Sequence, residues 1–183
     1  RYIYLLMDFQ NIEDVLNKYA KYVVQQAKTN LSKDGKGSGA LYESVKYTLE
    51  DESDLFLLNF LMQDYGIYVD EGVKGANPSL IKNGVQKAPK SKFSYKRKMP
   101  PMQILANWAK SKNIRFRNAK GQYAKGSNKS MGFALQRSIF AQGLKPNYFF
   151  SKPFKKGLKT LSPDLARSFA LDIEHAIILG QKR

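Results

Sequence analysis

The sequence predicts an α+β fold, with an antiparallel sheet packed against an N-terminal helix and C-terminal helices. Two patterns support this prediction: apolar residues recur at helical spacing near the start and in the second half of the chain, and residues 45–62 read as two strands. With 183 residues, of which 43% are apolar, the chain can bury a core. We expect one domain over residues 1–183, with residues 73–99 as an extended basic loop or arm within it.

The first element is an amphipathic helix. Asn11 offers an N-cap, and acidic residues follow in the first turn. The apolar stripe comprises Ile12, Val15, Leu16, Tyr19, Val23, Ala27 and Leu31. We expect the helix to end at the glycine-rich loop of residues 32–39.

A β-hairpin is predicted next. After a short turn at residues 40–44, apolar Val45, Tyr47 and Leu49 alternate with polar residues, as in a half-buried strand. Three acidic residues and Ser53, at positions 50–53, form the predicted tip, and the mostly apolar run 55–62 is the second strand. A single helical turn over residues 67–72 follows.

The second half of the chain alternates unpatterned and helical segments. Residues 73–99 show little periodicity, which predicts the exposed loop or arm. Pro100 and Pro101 begin a predicted helix with Ile104, Leu105 and Trp108 as its buried stripe. A small basic hairpin is expected around Lys120 and Gly121.

Two more helices complete the prediction. One carries Met131, Leu135, Ser138 and Ile139 and ends at Gly143. Residues 148–150 suggest an anchoring strand. The last helix is predicted to begin at Ser162-Pro163-Asp164, with the stripe Leu165, Phe169, Ile173, Ala176 and Ile177.

Charge is strongly segregated along the chain. There are 31 basic and 15 acidic residues, for a net charge of +16, yet no acidic residue occurs between Lys74 and Lys159, a window with 21 basic residues. Such a block indicates a polyanion or an acidic protein as its partner. The residues that we expect to face DNA or a partner are Lys82, Lys87, Lys90, Lys92, Lys96, Arg97, Lys98, Arg115, Arg117, Lys120 and Lys125.

Aromatic residues within the basic block are candidates for stacking on nucleic-acid bases. Trp108 is assigned to a buried stripe, with burial worth about 2–3 kcal/mol. Phe93, Tyr95, Phe116 and Tyr123 lie near Lys or Arg in predicted loops and remain candidates for partner contact.

Several classes of function are disfavoured by composition. The chain has no cysteine and one histidine, which excludes disulfides, thiol catalysis and Cys-ligated zinc. The apolar run 2–7 is too short for a signal sequence or a bilayer span, so we expect a soluble, non-secreted protein. The glycine-rich residues 35–39 lack the spacing of a phosphate-binding loop.

The nearest approach to a catalytic cluster is weak. Asp64, Asp70, Glu71 and Lys74 could suggest a metal-dependent nuclease, but two residues, one of them a glycine, separate Glu71 from Lys74. We interpret Asp70 and Glu71 as solvated positions of a helical turn, and His175 as a surface or partly packed residue. The sequence predicts no catalytic residue, no metal and no cofactor.

The order of short motifs resembles that of the head-tail connector proteins of tailed bacteriophages, the tail-completion or neck family. The resemblance covers most of the chain from Asn11 to Ala176. Its motifs are the N-terminal helix, residues 39–45, the hairpin, residues 65–75, residues 100–104 with Trp108, residues 133–139 ending in Gly143, and residues 148–150. The lysine content of residues 74–98 departs from the family pattern.

This resemblance implies a structural virion protein without enzymatic activity, assembled in the host cytoplasm. It implies a homo-oligomeric ring of six or twelve subunits that joins the portal or adaptor to the tail, with no membrane partner and with DNA in the channel as a further candidate partner. A sequence-independent nucleic-acid-binding protein is the alternative. No zinc-finger, homeodomain or RNA-recognition signature supports that alternative.

Overall fold

The described chain is an α+β structure, as the sequence predicts. The computed structural model describes residues 9–33, 39–52 and 55–181. Its helices are α1 (Gln10–Lys33), α2 (Ala40–Ser44), α3 (Gly66–Glu71), α4 (Met102–Ser111), α5 (Asn128–Gln142) and α6 (Ser151–Gln181). Its strands are β1 (Lys46–Glu52), β2 (Leu55–Leu61), β3 (Val73–Lys74) and β4 (Gly143–Leu144), paired antiparallel as β1-β2 and β3-β4.

Some sequence-based predictions fall on residues that the structure does not describe. The apolar run 2–7, most of the glycine-rich loop (residues 34–38) and Ser53 at the predicted hairpin tip lie outside the described residues. Among the described helices, none is both long enough and apolar enough to cross a membrane.

Contacts divide the chain into two compact units. Unit 1 comprises Arg1–Gly66 and Tyr148–Arg183, and unit 2 comprises Ile67–Asn147. From the sequence we expected one domain, and no pattern indicated that the chain leaves the first unit and returns to it.

Unit 1 is built on the packing of α1 against α6. The predicted stripe of α1 is confirmed at Tyr19, Val23, Ala27 and Leu31, all of which are buried. The β1-β2 hairpin joins this pair through Phe60, whose ring centroid lies 6.1 Å from that of Tyr19. Rings at this separation attract edge to face, which fixes the inner side of the hairpin on the helices.

The N-terminus of α1 is capped by α6 rather than by its own sequence. The buried carboxylate of Asp172 accepts the Asn11 backbone N–H at 3.2 Å, the Ile12 backbone N–H at 3.1 Å and the Asn11 side-chain amide at 2.6 Å. The sequence predicts Asn11 as the cap. The structure assigns that role to a carboxylate 161 positions away, which satisfies helix-end donors that have no partner within the helix.

Helix α6 begins at Ser151, so the prediction of a start at residue 162 is wrong. Pro163 lies inside the helix and cannot donate to the carbonyl of Lys159. Packing on α1 outweighs this loss. Residues 148–150 do not form the suggested strand, since residues 149 and 150 are a turn, although Phe149 is fully buried and does anchor the chain.

The buried face of α6 also differs from the predicted stripe. Phe169 and Ile177 are 46% and 49% exposed, while the spacing of the buried Ser168, Asp172 and Ala176 defines the inner face. Asp172 determines this rotation, because its carboxylate must reach the first turn of α1.

In unit 2, α4 packs against α5 through small residues. Ala106 and Ala109 are buried, whereas Ile104 and Trp108 are 64% and 46% exposed. The predicted buried stripe of α4 is therefore wrong at Ile104 and Trp108. A Cβ on Gly132 of α5 would lie 2.7 Å from the Ala106 Cβ, so the backbones approach closely and leave no room for a large side chain between them.

Residues 73–99 have little regular structure, as predicted, but they do not form a free arm. The Ala76 and Lys87 backbone N–H groups donate to the carbonyls of Phe140 and Gln142, at the C-terminal end of α5, each at 2.8 Å. The Gln86 side chain bonds both the N–H and the carbonyl of Gly75, at 2.7 and 3.1 Å. Because these bonds satisfy backbone groups on unit 2 itself, the loop alternative describes this segment better than a free arm.

Candidate polyanion- and partner-binding surface

The charge of the protein is concentrated in unit 2. Residues 67–147 contain seventeen basic and two acidic residues, and the rest of the chain contains fourteen basic and thirteen acidic ones. Unit 2 therefore carries +15 of the net charge of +16. A compact body with this charge attracts polyanions over several ångströms and repels copies of itself.

All eleven basic residues singled out in the sequence lie in unit 2 and are exposed. One of them, Lys92, pairs with Glu71 at 3.0 Å. No ion pair joins the other ten to any residue that the structure describes. Their charge is consequently available to a ligand or partner without the loss of an existing ion pair.

Residues 92–96 display basic side chains over an aromatic layer. The Lys74 N–H donates to the Phe93 carbonyl at 2.8 Å, and the Tyr95 N–H donates to the Lys74 carbonyl at 2.9 Å. This strand-like pairing alternates the side chains, so that Lys92 and Lys96 are exposed while Phe93 and Tyr95 are half-buried.

Phe93 and Tyr95 therefore pack within unit 2, which makes them weaker candidates for partner contact than an exposed ring. The Phe93 ring lies 4.7 Å from that of Tyr68, and the Tyr95 ring lies 6.1 Å from that of Phe140. Burial raises the pKa of the Tyr95 phenol. The period-two alternation of residues 92–96 was a sequence signal for this inward placement.

The predicted basic hairpin is present, and it exposes an aromatic ring between cations. An antiparallel bridge joins Arg117 to Tyr123, and the Asn118 side chain accepts the Lys120 and Gln122 N–H groups, each at 3.0 Å. Phe116 is half-buried, so it is a weaker candidate than Tyr123 for contact with a partner.

Tyr123 is 64% exposed, with the guanidinium carbons of Arg115 and Arg117 at 5.8 and 4.9 Å from its ring centroid. An exposed ring flanked by guanidinium groups can stack on a base while the cations bind phosphate. Of the four aromatic candidates, Tyr123 is the one that the structure leaves best placed for this role.

The weak catalytic cluster does not gain support from the structure. Asp70 is buried, contrary to the expectation of a solvated position, and Glu71 forms an ion pair with Lys92. Asp64 and His175 are exposed. Among the described residues, no group of three or more His, Asp or Glu side chains is placed to hold a metal ion.

A groove in unit 1 was not predicted from the sequence. The groove has a volume of about 830 Å³ and lies between α1 and α6. Lys18, Lys156, Lys159 and Arg167 contribute cations to its lining, and Asp164 contributes one carboxylate at 3.7 Å from Arg167. The buried Gly157 also lines this groove, and a Cβ there would lie 2.8 Å from the Tyr19 ring.

Comparison with known proteins gives no relative: no family model, curated protein or solved structure matches the chain.

Proposed function

We propose that this protein is a structural component of a phage head-tail connector, of the tail-completion or neck type. It forms a ring around the DNA channel and joins the portal or adaptor to the tail, as part of a virion assembled in the host cytoplasm. The observation that carries the proposal is the division of charge between a nearly neutral unit 1 and a unit 2 of +15. A channel component needs one surface for DNA and another for its neighbours, and a divided charge supplies both.

Three of the segments that resemble connector proteins support the proposal because they lie at junctions of the fold. Residues 65–75 contain α3, the positive-φ Gly72 and strand β3. Gly143 ends α5 and pairs with Lys74, while Phe149 anchors the start of α6. These three parts of the resemblance therefore fall on residues that have structural roles in this chain.

The proposal is tested by the assembly state of the purified full chain. We expect native mass spectrometry and electron microscopy to show a closed ring of identical copies with a central opening, and the ring to bind purified portal or tail components. A chain that stays monomeric at every concentration and in the presence of those components would contradict the proposal.

The alternative, a sequence-independent nucleic-acid-binding protein, is favoured by the cluster of Arg115, Arg117 and Tyr123. Both functions predict contact with DNA phosphates, but only the connector requires ring assembly. The two are separated by measuring DNA binding and assembly on the same variants.

For DNA, we expect affinity for unrelated duplexes to fall with salt at a slope of about −0.9 per phosphate contacted. Replacement of Arg115, Arg117 and Lys120 by Ala is expected to flatten this slope by about two to three units, with no change in base preference. Fluorescence anisotropy across a series of salt concentrations measures the slope.

The matched control removes three exposed cations from unit 1, Lys21, Lys33 and Lys155, which gives the same net charge. The control should retain most of the slope. Equal slopes in both variants would mean that the hairpin does not contact phosphate. Ring assembly by the variant that lacks Arg115, Arg117 and Lys120 would favour the connector over the free DNA-binding protein.

A further inference from the structure

The β1-β2 hairpin has an open face that is apolar and carries an acid near the tip. Its inner face covers α1 and α6, but Leu55, Leu57 and Leu61 of β2 are 61%, 44% and 49% exposed. In the register of the hairpin, Glu50 lies opposite Leu57, and Lys46 lies opposite Leu61 at the far end. Directly opposed residues project from the same face, so Leu57 is flanked by the Glu50 carboxylate.

The open face of the hairpin differs from the usual solvent-facing side of a strand. Both strands of a two-stranded sheet are edge strands, and their solvent-facing positions are usually polar. Glu50 is exposed and forms no ion pair with a residue that the structure describes. Three exposed leucines with an unpaired acid beside them indicate a surface that is covered by a partner with an apolar hollow and positive charge.

Unit 2 carries a hollow of that description. It has a volume of about 310 Å³ and is lined by Leu80, Ile81, Met99, Phe133, Arg137 and Phe140. On α5, residues 133, 137 and 140 share one face by helical spacing, and Phe133 is 50% exposed.

The rim of the hollow is basic. Lys82 follows Ile81 and Lys98 precedes Met99, both exposed, and the Arg137 guanidinium carbon lies 5.8 Å from the centroid of the Phe133 ring. In unit 2 the acidic residues are Asp70 and Glu71, and neither belongs to the lining. Apolar lining and positive rim are thus the complement of the hairpin face.

We infer that the open face of the hairpin docks in the unit 2 hollow of a second copy of this chain. Leu55 and Leu57 enter the hollow, and Glu50 pairs with Arg137 at its rim. The two surfaces are different, so the contact is head-to-tail and generates a ring when the rotation closes. The contact also brings an acid to a unit of +15, which relieves the repulsion between copies. This inference rests on the proposed ring and names its interface.

A charge swap on the full chain tests the contact. The hairpin variant is Glu50→Lys, and the hollow variant is Arg137→Glu. Each variant alone juxtaposes like charges, so we expect about 30-fold weaker self-association for each by sedimentation velocity. An equimolar mixture should assemble again, because alternating copies restore an opposite pair at the interface. The chain that carries both substitutions should also assemble, because each interface then regains an opposite pair in reverse.

Matched controls carry the same charge changes at other exposed positions, Glu174→Lys and Lys145→Glu. These controls should assemble like the native chain. If a swapped variant does not fold by circular dichroism, Glu50→Gln or Arg137→Gln replaces it, with about 5-fold weaker self-association expected.

The outcomes separate this contact from the proposed function. A native chain that forms rings, with swapped or neutral variants that assemble equally well, overturns the contact and leaves the connector proposal standing. Folded swapped variants that stay dissociated both in the mixture and in the doubly substituted chain also overturn the contact. A native chain that never self-associates overturns the connector proposal, and this interface with it.

Discussion

Replacement of Asp172 by Ala is expected to lower the free energy of unfolding by about 3 kcal/mol. The carboxylate is 1% exposed and accepts three hydrogen bonds from Asn11 and Ile12. Its removal leaves two backbone donors at the start of α1 without a partner and removes a negative charge from the positive end of the helix dipole. Urea or thermal unfolding of the full chain measures the loss.

The control for this variant is Glu174→Ala, two positions away on the same helix and exposed. We expect it to change stability by less than about 0.5 kcal/mol. Asp172→Asn should fall between the two, because it keeps the shape and one acceptor oxygen but loses the charge. If Asp172→Ala were no less stable than Glu174→Ala, the cap would not contribute to the packing of α6 on α1.

Asp172 also shows where prediction from sequence ends. The helical period of α1 is strong, so the stripe from Tyr19 to Leu31 was assigned correctly. The partner of its first turn is 161 positions away, and no local pattern pairs the two. The local pattern at Pro163 led to a wrong prediction. Ser-Pro-Asp is typical of a helix start, but about three turns of α6 precede it.

The first turns of α6 contain Gly157, which local propensity disfavours in a helix. Glycine lowers helix propensity by about 1 kcal/mol relative to Ala. The structure requires glycine there because the Tyr19 ring lies against it. Tertiary packing of this kind overrides local propensity, and it becomes visible only when both helices are in place.

Much of the candidate surface could be predicted, because long charged side chains are rarely buried and all eleven basic residues are indeed exposed. The path of the backbone beneath these side chains could not be predicted. The docking of residues 73–99 depends on backbone hydrogen bonds from Ala76 and Lys87 to the end of α5. Backbone groups carry no sequence signature, so these bonds left no trace in composition or periodicity.

Those bonds converge near Gly143, and Gly143→Ala is expected to destabilise unit 2 by more than about 3 kcal/mol. Gly143 has φ 86° and ψ −174°, a conformation that is nearly confined to glycine. A Cβ there would also overlap the Val73 carbonyl oxygen and lie 2.6 Å from the Gly75 backbone nitrogen. Strand β3 and the docked loop would have to move away from α5.

Gly121→Ala is the matched control for this variant, because Gly121 also has a positive φ, of 78°, but a Cβ there would meet no atom within 4 Å beyond its chain neighbours. It should cost only the left-handed strain, about 1–2 kcal/mol. Hydrogen exchange locates the difference: the amides of Ala76 and Lys87 should exchange much faster in Gly143→Ala and remain protected in Gly121→Ala. Equal protection in both would mean that the loop is not held by the end of α5, whereas selective loss would show that this glycine positions the basic surface on unit 2.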